Sequence, residues 1–209
     1  GETLERNLDG RFALTVADLA DPSMLTNRLD AIRREYAPAR LARLGVAHTF
    51  EANADLFRSD AILAHYVEDA RRFLDATITT EARAAIRDRP LVFEGAQGLL
   101  LDQDRGCFPH VTRSNTGLRN VLALADELGL ERLDVTYVTR AYLTRHGAGP
   151  LPRERPGKPY PGIVDTTNVP NEHQGTLRFA WLDLDLLGRA IHEDLSDAAA
   201  YPALTVNAG

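Results

Sequence analysis

Apolar residues recur three and four positions apart through most of the first ninety residues. Leu25, Leu29, Ile32 and Tyr36 keep this helical spacing, and Asp21-Pro22 ahead of them supplies an N-cap and a proline suited to the first helical position. The pattern predicts a helix to about Tyr36, broken at Pro38 and resumed over Ala39 to Leu44. Ser59 caps a second helix, in which Ile62, Leu63, Tyr66, Val67, Ala70, Phe73 and Leu74 form one wide apolar stripe. Thr80 opens a shorter one that runs to Arg87 and stops before Pro90.

From Leu91 the texture changes. Leu91-Val92-Phe93 reads as a buried strand, followed by the glycine turn Gly95-Ala96-Gln97-Gly98. Leu118, Val121, Leu122, Ala125 and Leu128 mark a helix that Gly129 ends. Leu133 to Val138 alternates as a strand, and Ala203 to Val206 begins another, buried one. Between them, residues 147–162 hold five prolines and four glycines, too many for regular structure. Arg178 to Asp183 precedes an amphipathic helix carrying Leu186, Leu187, Ala190 and Ile191. The division predicted is a mainly helical segment over residues 1–89 and an α/β nucleotide-binding portion over 90–209.

Composition adds exclusions. The chain has 209 residues, 44% apolar and 26% charged, which is ordinary for a soluble globular protein. A net charge of −6 leaves no basic surplus for wrapping a nucleic acid. Lys158 is the one lysine, so nearly all positive charge is arginine, suited to bidentate recognition of carboxylates and phosphates. Cys107 stands alone, which excludes an intramolecular disulfide framework and a zinc cluster, and it reads as a packed thiol. Apolar runs are too short to span a membrane, no signal peptide is visible, and the expected location is the cytoplasm. The polar start at Gly1 fits a partial polypeptide.

The chemistry concentrates in Leu91 to Asn115. Strand, glycine turn and long polar loop make up the usual ligand edge of an open α/β sheet. The Gln97 amide at the strand's tip is able to donate to and accept from a planar heterocycle at once, or simply to cap the turn. Asp102 and Asp104 look like an acid/base pair, although on such a loop carboxylates more often set the turn. His110 and His146 have no partner at metal-ligand spacing, and no metal site is expected.

EGAQGLLLDQDRGCFPHVTRSNT resembles the signature of adenylosuccinate synthetase, close to EGAQGxLLDxDxGTYPxVTSSNT, and Ala141 to Pro152 resembles that family's AYxTRVGxGPFPTE. The resemblance implies an α/β fold with a central, mainly parallel, P-loop-NTPase-like sheet and a helical segment inserted ahead of the GAQG strand. It implies GTP-dependent joining of IMP (inosine monophosphate) to L-aspartate in purine synthesis, with Mg²⁺ and GTP required. By position, Gln97 would hold the purine 6-oxygen, Leu101 would offer a backbone contact and Thr112 would bind the IMP phosphate. Aligning Ala13 to Leu19 with GLRxGDL puts Arg11 where an arginine reaches the phosphate in the neighbouring subunit of a homodimer, although Phe12 departs from the pattern. Arg178 would meet the amino acid, but the family's TTGRRRR is here His173 to Arg178, with a single arginine, which leaves another amino acid open. The family's phosphate loop, GDEGKGK, and its TKLD have no counterpart here, so the resemblance covers the middle of the family's chain. The polypeptide alone is expected to be inactive. Two alternatives stand beside this: a divergent synthetase for another amino acid or nucleotide, and a non-catalytic nucleotide-binding relative.

Overall fold

The computed structural model describes residues 2–78, 80–81, 86, 89–95, 97–164 and 175–209. The chain forms two compact units, Gly1–Glu81 and Ala82–Gly209.

The first unit is helical: α1 (Glu2–Asn7), α2 (Val16–Leu19), α3 (Pro22–Ala31), α4 (Ala37–Arg43), α5 (Ala47–Ala52), α6 (Ala54–Arg58) and α7 (Asp60–Ala76). Its starts are capped as the residue types dictate. The Asp21 carboxylate accepts from Ser23 N at 2.9 Å and Met24 N at 3.0 Å, and Ser59 Oγ accepts from Ile62 N at 3.3 Å. Pro38 does not break the path, contrary to expectation. A π-type turn over Ile32–Tyr36 precedes it, with Ala37 N bonding back five residues to Ile32 O, so the widened turn absorbs the missing proline N–H. Among the described residues Leu25, Phe12 and Ala70 are the buried apolar side chains here, and the Phe12 and Tyr36 ring centroids lie 5.4 Å apart. The stripe on α7 divides. Ala70 is buried, while Ile62, Tyr66 and Phe73 stay about half exposed. The helix predicted over Thr80 to Arg87 lies largely outside the described residues.

The second unit is mixed, with α8 (Arg119–Leu128), β1 (Arg132–Val135), β2 (Tyr142–Arg145), β3 (Glu154–Arg155), β4 (Arg178–Trp181), α9 (Leu184–Ser196) and β5 (Thr205–Ala208). β1 and β5 pair in parallel, Arg132 opposite Thr205 and Val135 opposite Ala208. Leu133 and Val135 point inward and pack with Leu118, Leu122 and Ala125 of the α8 region and with Leu204. Gly129 ends α8 at φ 69° and bonds to Ala125 O and Asp126 O.

The architecture is α/β, and among the described residues its parallel part is this one pair of strands. The larger sheet, β2-β4-β3, is antiparallel, because the chain between β2 and β4 returns without a crossover helix among the described residues. Leu91 to Phe93 pairs with no described strand. Phe93 packs on the core while Leu91 is partly exposed and Val92 is 92% exposed. An extended apolar run becomes a strand only where an edge is present to take its hydrogen bonds. β5 forms but is not buried, since Val206 alone is partly covered in it. The proline-rich loop does acquire regular structure in the two residues of β3. Cys107 is exposed rather than packed. Among the described residues, no helix is long and apolar enough to cross a membrane.

Candidate functional site

The glycine turn and the loop after it build the site from its backbone outward. Gln97 sits at φ 73°, in the left-handed region that side-chain-bearing residues seldom adopt and that costs them of order 1–2 kcal/mol. Its side chain is exposed. Gly98 O then accepts from Leu101 N at 2.9 Å, closing a 3₁₀ turn over Leu99–Leu101, and from Thr116 Oγ1 at 3.0 Å. The loop folds back on itself. Leu101 O accepts from Thr112 N at 2.8 Å, and Ser114 O accepts from Gln103 N at 3.1 Å. Leu101 and Thr112, far apart in the loop, are thereby direct neighbours, both partly buried.

Asp102 holds this fold from inside. It is 4% exposed, and its carboxylate accepts from Asp104 N at 2.9 Å, Arg105 N at 3.3 Å and Thr116 N at 2.8 Å. Burial pushes this carboxyl up, but the three backbone donors and the Arg105 charge outweigh it and hold it below its usual range. Asp102 therefore sets the turn, and Asp104 pairs instead with Arg119. A side chain at Gly106 would collide with Asp102 O at 2.6 Å and Val111 Cγ1 at 2.6 Å, so only glycine fits there.

A second carboxylate fixes the loop from outside. Asp194, on α9, is 1% exposed and accepts from Leu118 N at 3.0 and 3.2 Å, from Tyr137 Oη at 2.8 Å and from Arg105 Nη1 at 2.9 Å. Arg105 also meets Asp197 at 2.6 Å and Glu193 at 3.7 Å. Burial works against the Arg105 charge, and Asp197, Asp194 and Glu193 more than restore it. Burial, with the Asp194 charge behind it, raises the Tyr137 hydroxyl. A cavity of about 220 Å³ opens between the Leu99–Leu101 turn and α9, lined in part by Leu99, Leu100, Arg105, Leu186 and Arg189.

Arg145 joins the second motif to the first. Its Nη2 donates to His110 O at 2.7 Å and its Nε to Ala148 O at 2.8 Å. Gly149, at φ 109°, lies so close that a Cβ would fall 2.4 Å from Arg145 Nη2. Arg178, on β4, supports the same loop: Nη1 donates to Gly147 O at 3.0 Å and Gly149 O at 2.8 Å, while Nε and Nη2 grip the two oxygens of Glu154. Glu154 is held below the usual carboxylate range by that guanidinium.

Of the five residues singled out from sequence, Gln97, Leu101 and Thr112 share one loop, and Arg178 braces the loop that Arg145 ties to it. Arg11 belongs to the helical unit. It is 63% exposed, pairs with Glu35, lies 5.1 Å from the Phe12 ring and lines a shallow depression of about 450 Å³. Sequence reasoning missed Asp194, Arg105, Tyr137, Arg145 and Glu154. Asp194 had a signal: with Leu187, Ala190 and Ile191 it falls at helical spacing on the apolar face of α9, where an acid needs partners.

The family model for adenylosuccinate synthetase matches residues 2–200. Adenylosuccinate synthetases of Leuconostoc citreum, Haloarcula marismortui and Xylella fastidiosa are 32%, 31% and 33% identical to this chain over 87%, 85% and 87% of its length. Those matches cover 42%, 44% and 41% of the relatives, so the chain spans somewhat under half of their length. With the loop that follows Gln97 joined to the second motif through Arg145, the chain belongs to the adenylosuccinate synthetase family.

Proposed function

We propose that this chain carries the IMP-binding part of an adenylosuccinate synthetase, a ligase that uses GTP to join IMP and L-aspartate in purine synthesis. In that reaction GTP phosphorylates the purine 6-oxygen, which alone is a poor leaving group, and the amine then displaces phosphate. Gln97 orients the 6-oxygen and favours its developing negative charge by amide donation. Leu101 lends a backbone contact, and Thr112 donates its hydroxyl to the IMP phosphate. Arg11 reaches that phosphate from a second copy in a cytoplasmic homodimer. The β1–β5 pair belongs to a larger, mainly parallel sheet of the P-loop-NTPase kind. Residues 1–89 act as the inserted helical segment and 90–209 as the nucleotide-binding portion. The reaction also calls for Mg²⁺ and GTP; among the described residues no group of three His, Cys, Asp or Glu side chains comes together to hold a metal.

The observation that carries this proposal is the loop closure at Leu101 and Thr112, with Gln97 held in a strained conformation beside it. Calorimetry with IMP tests it. The wild-type chain is expected to bind with Kd at or below about 1 mM, or −4.1 kcal/mol, and Gln97→Ala to lose that binding while staying folded. Equal binding by both proteins would overturn the assignment.

One observation favours a co-substrate other than aspartate. Every nitrogen of the Arg178 guanidinium already donates, to Glu154 or to Gly147 and Gly149. These bonds use four of its five N–H groups, so a substrate carboxylate that grips Arg178 through two of them must displace Glu154 or a loop carbonyl. A screen of amino acids with the complete protein decides it: turnover with aspartate alone removes this second reading.

A further inference from the structure

We infer that Asp194 is the positioning residue of the candidate purine loop, a role that rests on the IMP-binding reading for its consequence but not for its geometry. Both ends of the loop converge on this one carboxylate. From the descending limb comes the Arg105 guanidinium at 2.9 Å, and from the far end comes Leu118 N at 3.0 Å. Tyr137, beyond the end of β1, adds its hydroxyl at 2.8 Å. Three segments distant in sequence thus share an acceptor that is 1% exposed. Between the two anchor points, Asp102 collects Asp104 N, Arg105 N and Thr116 N, so the inner and outer carboxylates act in series through Arg105. Leu101 and Thr112 are joined across this loop by the bond from Thr112 N to Leu101 O at 2.8 Å.

The fit leaves little room for a substitute. Gly117 passes so close that a Cβ there would meet Asp194 Oδ1 at 1.8 Å. The Arg105 charge is balanced on its other side by Asp197 at 2.6 Å and Glu193 at 3.7 Å, both from the end of α9. Removing the Asp194 charge leaves Arg105 free to swing toward those two, and the limb bearing Leu101 follows. Leu118 N and the Tyr137 hydroxyl are meanwhile left with a weaker acceptor, so even a shape-conserving change is felt.

The experiment compares wild type, Asp194→Asn, Arg105→Gln and the double variant by amide hydrogen exchange and IMP calorimetry, each at a temperature where circular dichroism shows it folded. Asp194→Asn keeps an acceptor for Leu118 N and so guards against simple misfolding. The expected result is exchange faster by at least about tenfold in residues 99–118, without change in α8, as for loss of a charged hydrogen bond. IMP affinity falls by a similar factor, and the double variant is no worse than either single change. Unchanged loop exchange in Asp194→Asn overturns the inference. So does a loosened loop that binds IMP as tightly as wild type, because Asp194 is then only a brace. Wild-type protein that ignores IMP, with the loop still loosened by Asp194→Asn, defeats the functional reading and leaves the tether in place.

Discussion

A methyl group at position 117 would lie 1.8 Å from the Asp194 carboxylate, while one at position 188, on the open side of α9, would meet nothing within 4 Å. The same substitution therefore has opposite signs at two glycines. Gly117→Ala is expected to destabilise the chain by about 1–3 kcal/mol, the usual cost of overpacking a filled site. Gly188→Ala is expected to stabilise it by about 0.5–1 kcal/mol, since alanine suits a helix interior better. Urea unfolding of the two variants measures both, and a neutral Gly117→Ala would mean that Asp194 does not press against that backbone. Asp102 gives a second prediction at this scale, through its lowered carboxyl. A carboxyl depressed in the folded state contributes stability that is present above its unfolded value and lost as pH falls through the folded one. Wild-type stability should thus fall as pH drops below about 4. Asp102→Asn should start less stable at neutral pH and show a shallower acid limb. Parallel acid limbs in the two proteins would show that Asp102 is not a source of the dependence.

At the scale of elements, what the sequence disclosed depended on how local the cause was. α3, α7 and α9 begin where Asp21, Ser59 and Asp183 offer side-chain oxygens to the next turn, and α8 ends where Gly129 takes a left-handed conformation. Those causes lie within four residues of their effects and are legible in a single chain. Pro38 misled because the π turn ahead of it is a property of the helix path, not of proline. Leu91 to Phe93 misled because strand formation needs a neighbour that no local pattern supplies. Within the candidate site, Gln97 stood out from its place in the glycine turn, while Leu101 and Thr112 were legible only through the resemblance. Arg105 and Asp194, separated by 89 positions, meet only in the folded chain. Arg145 at first looked like one more arginine of a motif, and its bond to His110 O, 35 positions away, is what joins the two motifs.

For the whole molecule the open matter is assembly, because Arg11 belongs to the helical unit and Thr112 to the mixed one. Arg11 is 63% exposed and its partner Glu35 46% exposed, and an exposed ion pair of this kind contributes little, about 0–1 kcal/mol. A dianionic phosphate is a stronger partner for the guanidinium, so Glu35 yields to it at small cost. If Arg11 serves the site of a second copy, then Arg11→Leu and Thr112→Ala damage the same site from different chains. Each variant alone should bind IMP weakly. Mixed in equal amounts and allowed to exchange subunits, they form mixed dimers in about half of all cases. In each mixed dimer one site has both changes and the other has neither. About a quarter of all sites should therefore regain wild-type affinity, a value fixed by the twofold symmetry of the proposed pairing. Calorimetric titration of the mixture reads that fraction directly. No recovery, with subunit exchange confirmed by mass, would place Arg11 either in the site of its own chain or outside the site altogether. Full binding by Arg11→Leu alone would leave the phosphate to Thr112 and its loop.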